Sequence, residues 1–288
     1  MRPSFSFDKV DLLANRNSLR KLFDFACDRA PDNFRIDLSL VGNTLVMTRR
    51  ERSLKQKIKR TSSDGGWGHN FEFAFTEASP GLEDTNGHHR AVQYRLGNIN
   101  CLIQCEVDAW YDDGATDEEE TPEALLNNLS LSDPVVPAGT RSVHSQSCRS
   151  IPATLHAGHD VPASRLAEIK TVGRKPLSAA IVKPQLWFGR TPYLITGSHE
   201  QGNFISVTVR NVGADFTEWE QCNQEALRKL VGLIEQLRSF ALRVPGGVCA
   251  VTCNKTVKPL RLDVFAPTAR MERVTVPREF VELFWGKK

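Results

Sequence analysis

Carboxylates and a lysine recur at a spacing of two along the middle of the chain: Glu106 and Asp108 in CLIQCEVDAW, and Glu168 and Lys170 in RLAEIKTV. Both pairs lie in apolar, strand-like runs, where successive side chains point to opposite faces. Glu106 and Asp108 therefore share one face while Cys101, Ile103, Cys105 and Val107 take the other. By the same rule Glu168 and Lys170 share a face with Leu166, and Ile169 faces the reverse. A further carboxylate, Glu72 in GWGHNFEFAF, alternates with Phe71, Phe73 and Phe75 and reads as a strand residue turned away from them. Such alternation commonly marks the wet face of an amphipathic sheet, and that reading stands beside a chemical one. In the chemical reading a metal ion compensates converging carboxylates. Glu72, Glu106, Asp108 and Glu168 would offer hard oxygen ligands to Mg²⁺ or Mn²⁺, enough for two ions bridging a phosphate, with Lys170 orienting or helping to deprotonate the attacking water.

The elements that would hold these residues can be read around them. Asp8 to Ala30 has apolar residues near helical spacing and ends at PDN, which predicts a helix. FRIDLSLVGNTLVMTRR alternates around a Gly-Asn turn signal and predicts a hairpin. AVQYRLGNINCLIQCEVDAW reads as two strands broken near Leu96 to Asn98. From about Tyr111 to Pro162 the chain turns acidic and polar and cannot bury enough surface to offset its ordering entropy; a mostly disordered insertion is expected, with one short helix at 122–129. Order resumes at RLAEIKTV and reaches an amphipathic helix from about Cys222 to Leu242, whose stripe is Leu227, Leu230, Val231, Ile234, Leu237 and Ala241. GVCAVTCN and PLRLDVFAP predict two closing strands.

At 288 residues, 40% hydrophobic and 25% charged, the composition is that of an ordinary globular protein. The net charge of +3 says little, but its distribution is uneven: RRERSLKQKIKR, from Arg49 to Arg60, carries seven Lys or Arg against one acid, and DDGATDEEE is nearly all acidic. The basic run alone fits a solvated helix face or a nucleic-acid contact. The seven cysteines lack framework spacing, and no apolar run approaches the roughly 20 residues of a membrane span. The expected setting is therefore a reducing, intracellular one, with no membrane contact. Cys101/Cys105 and Cys249/Cys253 make two C-x₃-C pairs, but each lies in an apolar strand pattern, so buried thiols are expected rather than zinc. His144, His156 and His159 fall in the insertion without ligand spacing.

Taken in order, these motifs resemble the DXO-like decapping nucleases, RNA 5′-end quality-control enzymes with a core of the PD-(D/E)XK kind. Gly68-His69-Asn70-Phe71-Glu72 matches the family's Gly-x-x-Phe-Glu element, Glu106-Val107-Asp108 its Glu-apolar-Asp element, and Glu168-Ile169-Lys170 its Glu-apolar-Lys element. Gln185 in QLWFGRTPYLITG, with Pro192 and Gly197 in step, is similar to the family's glutamine segment. The resemblance spans roughly Leu40 to Asn211 and implies one mixed α/β domain over 1–288, an α+β fold with a mixed, largely antiparallel sheet core flanked by helices. It implies that Glu72, Asp108, Glu168 and the carbonyl of Ile169 ligate divalent metal, that Glu106 holds a metal-bound water, and that Lys170 and Gln185 position the nucleophile. The implied reaction is hydrolysis at RNA 5′ ends: pyrophosphate, incomplete caps or nicotinamide-dinucleotide caps, with or without 5′ to 3′ digestion. The alternative is an RNA-binding relative without turnover that accompanies an exoribonuclease. Arg49 or Arg50 would contact RNA phosphate, and the implied setting is a nuclear monomer with a 5′ to 3′ exoribonuclease as partner. Trp67 would be free to stack on a base, whereas Trp187 is expected in the core. Pro184 in IVKP predicts that the helix carrying Gln185 begins there, and Glu168→Ala is expected to abolish turnover without disturbing the fold.

Overall fold

Within Asp8 to Ala30, where helical spacing predicts a helix, a strand precedes the helix. In the computed structural model, which describes residues 5, 7–50, 67–85, 87–112, 159–266 and 276–286, Phe7–Lys9 form a 3₁₀ turn. The strands that follow are β1 (Leu12–Asn15), β2 (Phe34–Val41), β3 (Thr44–Arg50), β4 (His88–Leu96), β5 (Ile99–Val107), β6 (Ala109–Trp110), β7 (Leu166–Val172), β8 (Tyr193–Glu200), β9 (Asn203–Asn211), β10 (Val248–Cys253) and β11 (Leu262–Phe265). The helices are α1 (Arg16–Ala26), α2 (Trp67–Phe75), α3 (Ala179–Gly189), α4 (Phe216–Cys222), α5 (Gln224–Arg243) and α6 (Arg278–Phe284). β1 lies between β3 and β5, parallel to both, with Leu12 and Ala14 buried. Pairing on both edges outweighs the local helical spacing, and α1 starts only where Asn15 caps it, its Oδ1 accepting from the Asn17 N–H at 2.8 Å.

Two sheets form a mixed α/β core. The larger runs β11-β10-β2-β3-β1-β5-β4 and the smaller β6-β7-β8-β9. Most pairings are antiparallel; β1 with β3, β1 with β5 and β7 with β8 are parallel. Because β1, β3 and β5 run the same way, their C-terminal ends, followed by Arg16, ending in Arg50 and followed by Asp108 respectively, lie at one end of the large sheet. The β2–β3 hairpin turns at Gly42 (φ +56°), and the β4–β5 hairpin turns at Gly97 (φ +60°), a conformation glycine adopts without strain. α5 buries Leu227, Leu230, Ile234, Leu237 and Ala241 in the core shared with α1 and β2, while Val231 is only partly buried. The predicted start at Cys222 belongs to α4, a separate helix ending there. The closing strands form as β10 and β11, and α6 follows them without a prediction. Among the described residues no helix is long and apolar enough to cross a membrane.

The segment of Glu72 is a helix, not a strand. Phe71 and Phe75 sit at i and i+4, stack at 4.3 Å between ring centroids, and pack on Phe204 of β9, while Phe73 between them is 88% exposed. A spacing of two and a spacing of four are both present in FEFAF, and the i, i+4 pair decides. α2 is seated by a glycine: a Cβ on Gly197 of β8 would lie 2.3 Å from the Phe71 ring. Gly197→Ala should therefore push α2 off β8 and lower stability by about 1–3 kcal/mol. Thermal unfolding reads this directly; a variant melting with the wild type would mean that the ring has room to shift.

Candidate active site

Glu168 is the node of a buried polar network. β7 lies between β6 and β8, and Leu166, Ala167, Glu168 and Ile169 are all buried. A carboxylate in such a place needs partners on both oxygens, and it has them. Arg16, the first residue of α1, donates from Nη1 to Glu168 Oε2 at 3.0 Å. Lys170 Nζ and Gln185 Nε2 both donate to Oε1. One helical turn beyond Arg16, Arg20 donates to Gln185 Oε1 at 3.3 Å and to the Ile181 carbonyl at 3.2 Å. Burial, then the like charge of Arg16, pulls the Arg20 pKa below its ordinary value.

Gln185 reaches Glu168 because α3 does not begin at Pro184 as predicted. It begins at Ala179, and Pro184 lies in its second turn. There the missing N–H forfeits only the bond to the carbonyl four residues back, while burial of Val182, Leu186, Trp187 and Phe188 secures the helix.

Asp108 occupies the break between β5 and β6, where the chain passes from one sheet to the other. Its Oδ2 accepts from the Ile169 N–H at 2.8 Å. Burial first, and the neighbouring Glu168 carboxylate second, raise its pKa to about 7; Lys170 and the Ile169 N–H act against this, and Glu72 adds to it. Glu72 is partly exposed, with His69 Nδ1 3.6 Å from its carboxylate. Glu106 is exposed on β5, and its Oε1 lies toward Gly87.

The oxygen donors suit a hard cation. Lys170 Nζ lies on Glu168 Oε1 and on the Ile169 carbonyl at 3.1 Å, so an ammonium already occupies two oxygens of the kind a divalent ion takes. Asp108 and Glu72 supply further carboxylate charge beside them. Among the described residues, no three Asp, Glu, His or Cys side chains gather into a ready ligand set.

Of the residues singled out in the sequence, Glu168, Lys170, Gln185, Asp108 and Ile169 meet directly, Glu72 lies within electrostatic reach, and Glu106 is exposed on β5. Arg50 lies at the same end of the large sheet but leans on buried Asp37 at 3.9 Å, beside Arg35 at 2.7 Å; Arg49 precedes it on the exposed end of β3. Residues 51–66 and 113–158, with most of the basic run, most of the insertion and its predicted helix, His144 and His156, lie outside the described residues. Trp187 is in the core, as expected, between Phe188, Trp219 and Arg190. Cys101, Cys105, Cys249 and Cys253 are buried, and burial raises each thiol's pKa. Sequence reasoning missed Arg16 and Arg20; two arginines four apart, on the same helical stripe as Leu19 and Phe23, were the available signal.

The fold is that of the Rai1 structures. It matches Scheffersomyces stipitis Rai1 with a TM-score of 0.58 at 12% identity, covering 95% of this chain and 74% of that one. It matches Candida albicans Rai1, solved with pU5-Mn²⁺, with a TM-score of 0.57 at 11% identity over 96% and 74% of the two chains. Schizosaccharomyces pombe Rai1, solved with 3′-FADP, gives 0.55 to 0.54 at 13% to 14% identity over 90% and 72%. No curated protein matches the sequence. A domain family of unknown function, DUF8563, matches residues 1–285, and the chain belongs to that family.

Proposed function

We propose that this protein is a divalent-metal-dependent hydrolase of RNA 5′ ends, removing pyrophosphate, incomplete caps or dinucleotide caps. The observation that carries the reading is the meeting of Asp108, Glu168, Lys170 and Gln185, drawn from three separate motifs, at one buried carboxylate. The Rai1 fold, met in structures holding pU5 with Mn²⁺ or 3′-FADP, supports the substrate class. Glu168, Asp108, Glu72 and the Ile169 carbonyl would hold the cation, which when bound would polarise the phosphate and lower the pKa of water.

The remaining work falls to the protein's own groups. Lys170 and Gln185 converge on one Glu168 oxygen; once displaced from it, their N–H donors are free to hold a phosphate oxygen or the attacking water. Arg16 fixes the Glu168 rotamer from the other oxygen, and Arg20 fixes the Gln185 amide so that its NH₂ faces the site. Arg49 or Arg50 would guide the RNA backbone to the same end of the sheet. A nuclear setting and an exoribonuclease partner belong to the same proposal.

A second reading, an RNA-binding protein without turnover, draws on two observations: both Glu168 oxygens are engaged by the protein's own cations and amide, and no ready three-ligand set stands among the described residues. Incubation with 5′-triphosphate, 5′-monophosphate and dinucleotide-capped RNA, with Mn²⁺ and with chelator, separates the two. Product is expected only with metal. Retained RNA binding with no product from any substrate would leave the second reading standing and end the first.

A further inference from the structure

A cavity of about 760 Å³ opens beside this site, within the range of small-ligand pockets, and the proposed chemistry does not use it. Its wall brings together Trp67 from the start of α2, Gly173, Arg174 and Lys175 from the segment leaving β7, and His199 and Glu200 from the end of β8. Trp67 is held in place: its ring sits where a Cβ on Gly202 would fall, 2.4 Å away, and 5.9 Å from the His199 ring. Arg174 and Lys175 are exposed, and among the described residues that line the cavity these two cations face one carboxylate, Glu200.

His199 is 6% exposed, and its Nδ1 accepts from the Gly202 N–H at 3.3 Å, so in the neutral ring the proton is on Nε2. Among the described residues that Nε2 has no hydrogen-bond partner. It borders Gly173, where a Cβ would stand 3.9 Å from it and partly cover the ring edge. A flat aromatic surface, two exposed cations and a buried N–H donor with no acceptor among the described residues describe a complement to a planar, anionic ligand.

We propose that this cavity binds a nucleotide of single-stranded RNA downstream of the 5′ end, an inference that rests on the catalytic reading above for its choice of ligand. The base stacks on Trp67, Arg174 and Lys175 neutralise phosphates, and His199 Nε2 donates to the ligand. The placement suits a continuous strand. Gly173 lies three residues beyond Lys170 along β7 and its exit, roughly 10 Å at strand rise, and Trp67 lies five residues before Glu72 on α2, roughly 7.5 Å at helical rise. The pocket thus flanks the candidate site on the two elements that also furnish it.

The test compares binding of a 3′-labelled 5′-phosphorylated uridine pentanucleotide with that of uridine monophosphate, in chelator to prevent hydrolysis, for wild type and variants. Trp67→Ala should weaken the pentanucleotide by about 5- to 100-fold, Trp67→Phe should largely restore it, and uridine monophosphate should be indifferent to both. The surface double variant Arg174→Ala/Lys175→Ala, which loses no core contact, should flatten the slope of log affinity against log salt by about 1.4 for two phosphates released. Pentanucleotide binding unchanged in all three variants overturns the pocket, even if the wild type cleaves 5′ ends. A wild type that cleaves nothing, while the variants still lose the pentanucleotide, keeps the pocket and overturns the catalytic reading.

Discussion

Glu168→Ala is expected to lower hydrolysis of a 5′-triphosphorylated RNA by at least about 10²–10³-fold, the scale of losing one group that acts on the reacting phosphate. From the strand pattern alone the substitution should leave the fold untouched, because a carboxylate on a wet face has no structural duty. The structure gives it one. Glu168 is 2% exposed and Arg16, which it holds at 3.0 Å, has a side chain only 11% exposed. Removing the carboxylate leaves the guanidinium buried without its partner, a loss on the order of 3–5 kcal/mol. Lys170, with 28% of its side chain exposed, can turn to water and adds less. Glu168→Gln keeps the volume and one acceptor, so it should be nearly as inactive but more stable than the alanine variant. A double-mutant cycle on Arg16 and Glu168, read by chemical denaturation, should return a coupling of about 0.5–3 kcal/mol. Full activity in either Glu168 variant would remove the site assignment, whereas an alanine variant with the wild-type denaturation midpoint would remove only the structural role.

That contrast marks where the sequence was legible. Period-two alternation located β5 and β7 and the acid-x-acid and acid-x-lysine pairs on them, and the turn glycines located the β2–β3 and β4–β5 hairpins. It could not show that β7 is covered on both faces, because a strand's burial is decided by the elements that pack on it, here α2 on one side and the Arg16 and Gln185 side chains on the other. The same limit hid Arg16. Its role depends on β1 ending at Asn15, and β1 exists because two parallel neighbours pair with it, a relation between residues some 30 to 90 positions apart. Glu106 and Asp108 were read from their spacing as projecting together, yet β5 ends at Val107 and Asp108 sits at the passage to the second sheet, half-buried, while Glu106 is exposed on β5. A crossover of that kind leaves no mark in a two-residue window.

Asp108→Asn should make the protein more stable and less active at once. The Asp108 pKa is raised to about 7 from an ordinary 3.8, by burial first and by Glu168 next. Between those two values the folded chain holds a proton that the unfolded chain has released. Stability tied to this group is therefore present in acid and is lost as the pH rises through 7. At pH 8 and above, keeping Asp108 ionised in the fold costs on the order of 4 kcal/mol, from about three pH units at 1.36 kcal/mol each. Asparagine retains an oxygen for the Ile169 N–H and the same volume, but never ionises. Thermal unfolding should accordingly show the variant well above wild type at pH 8 and the two curves converging toward pH 4. Added Mn²⁺ should close the gap from the other side: an ion bound only by the folded wild type stabilises it by about 2.7 kcal/mol at one hundred times its dissociation constant, and should do much less for a variant lacking the charge. Parallel unfolding curves across the pH range would show that Asp108 is not strained. A gap that Mn²⁺ leaves open would show that its strain is not relieved by a cation. Where both effects appear, the cost of ionising Asp108 in the fold is the same free energy that favours binding of the ion.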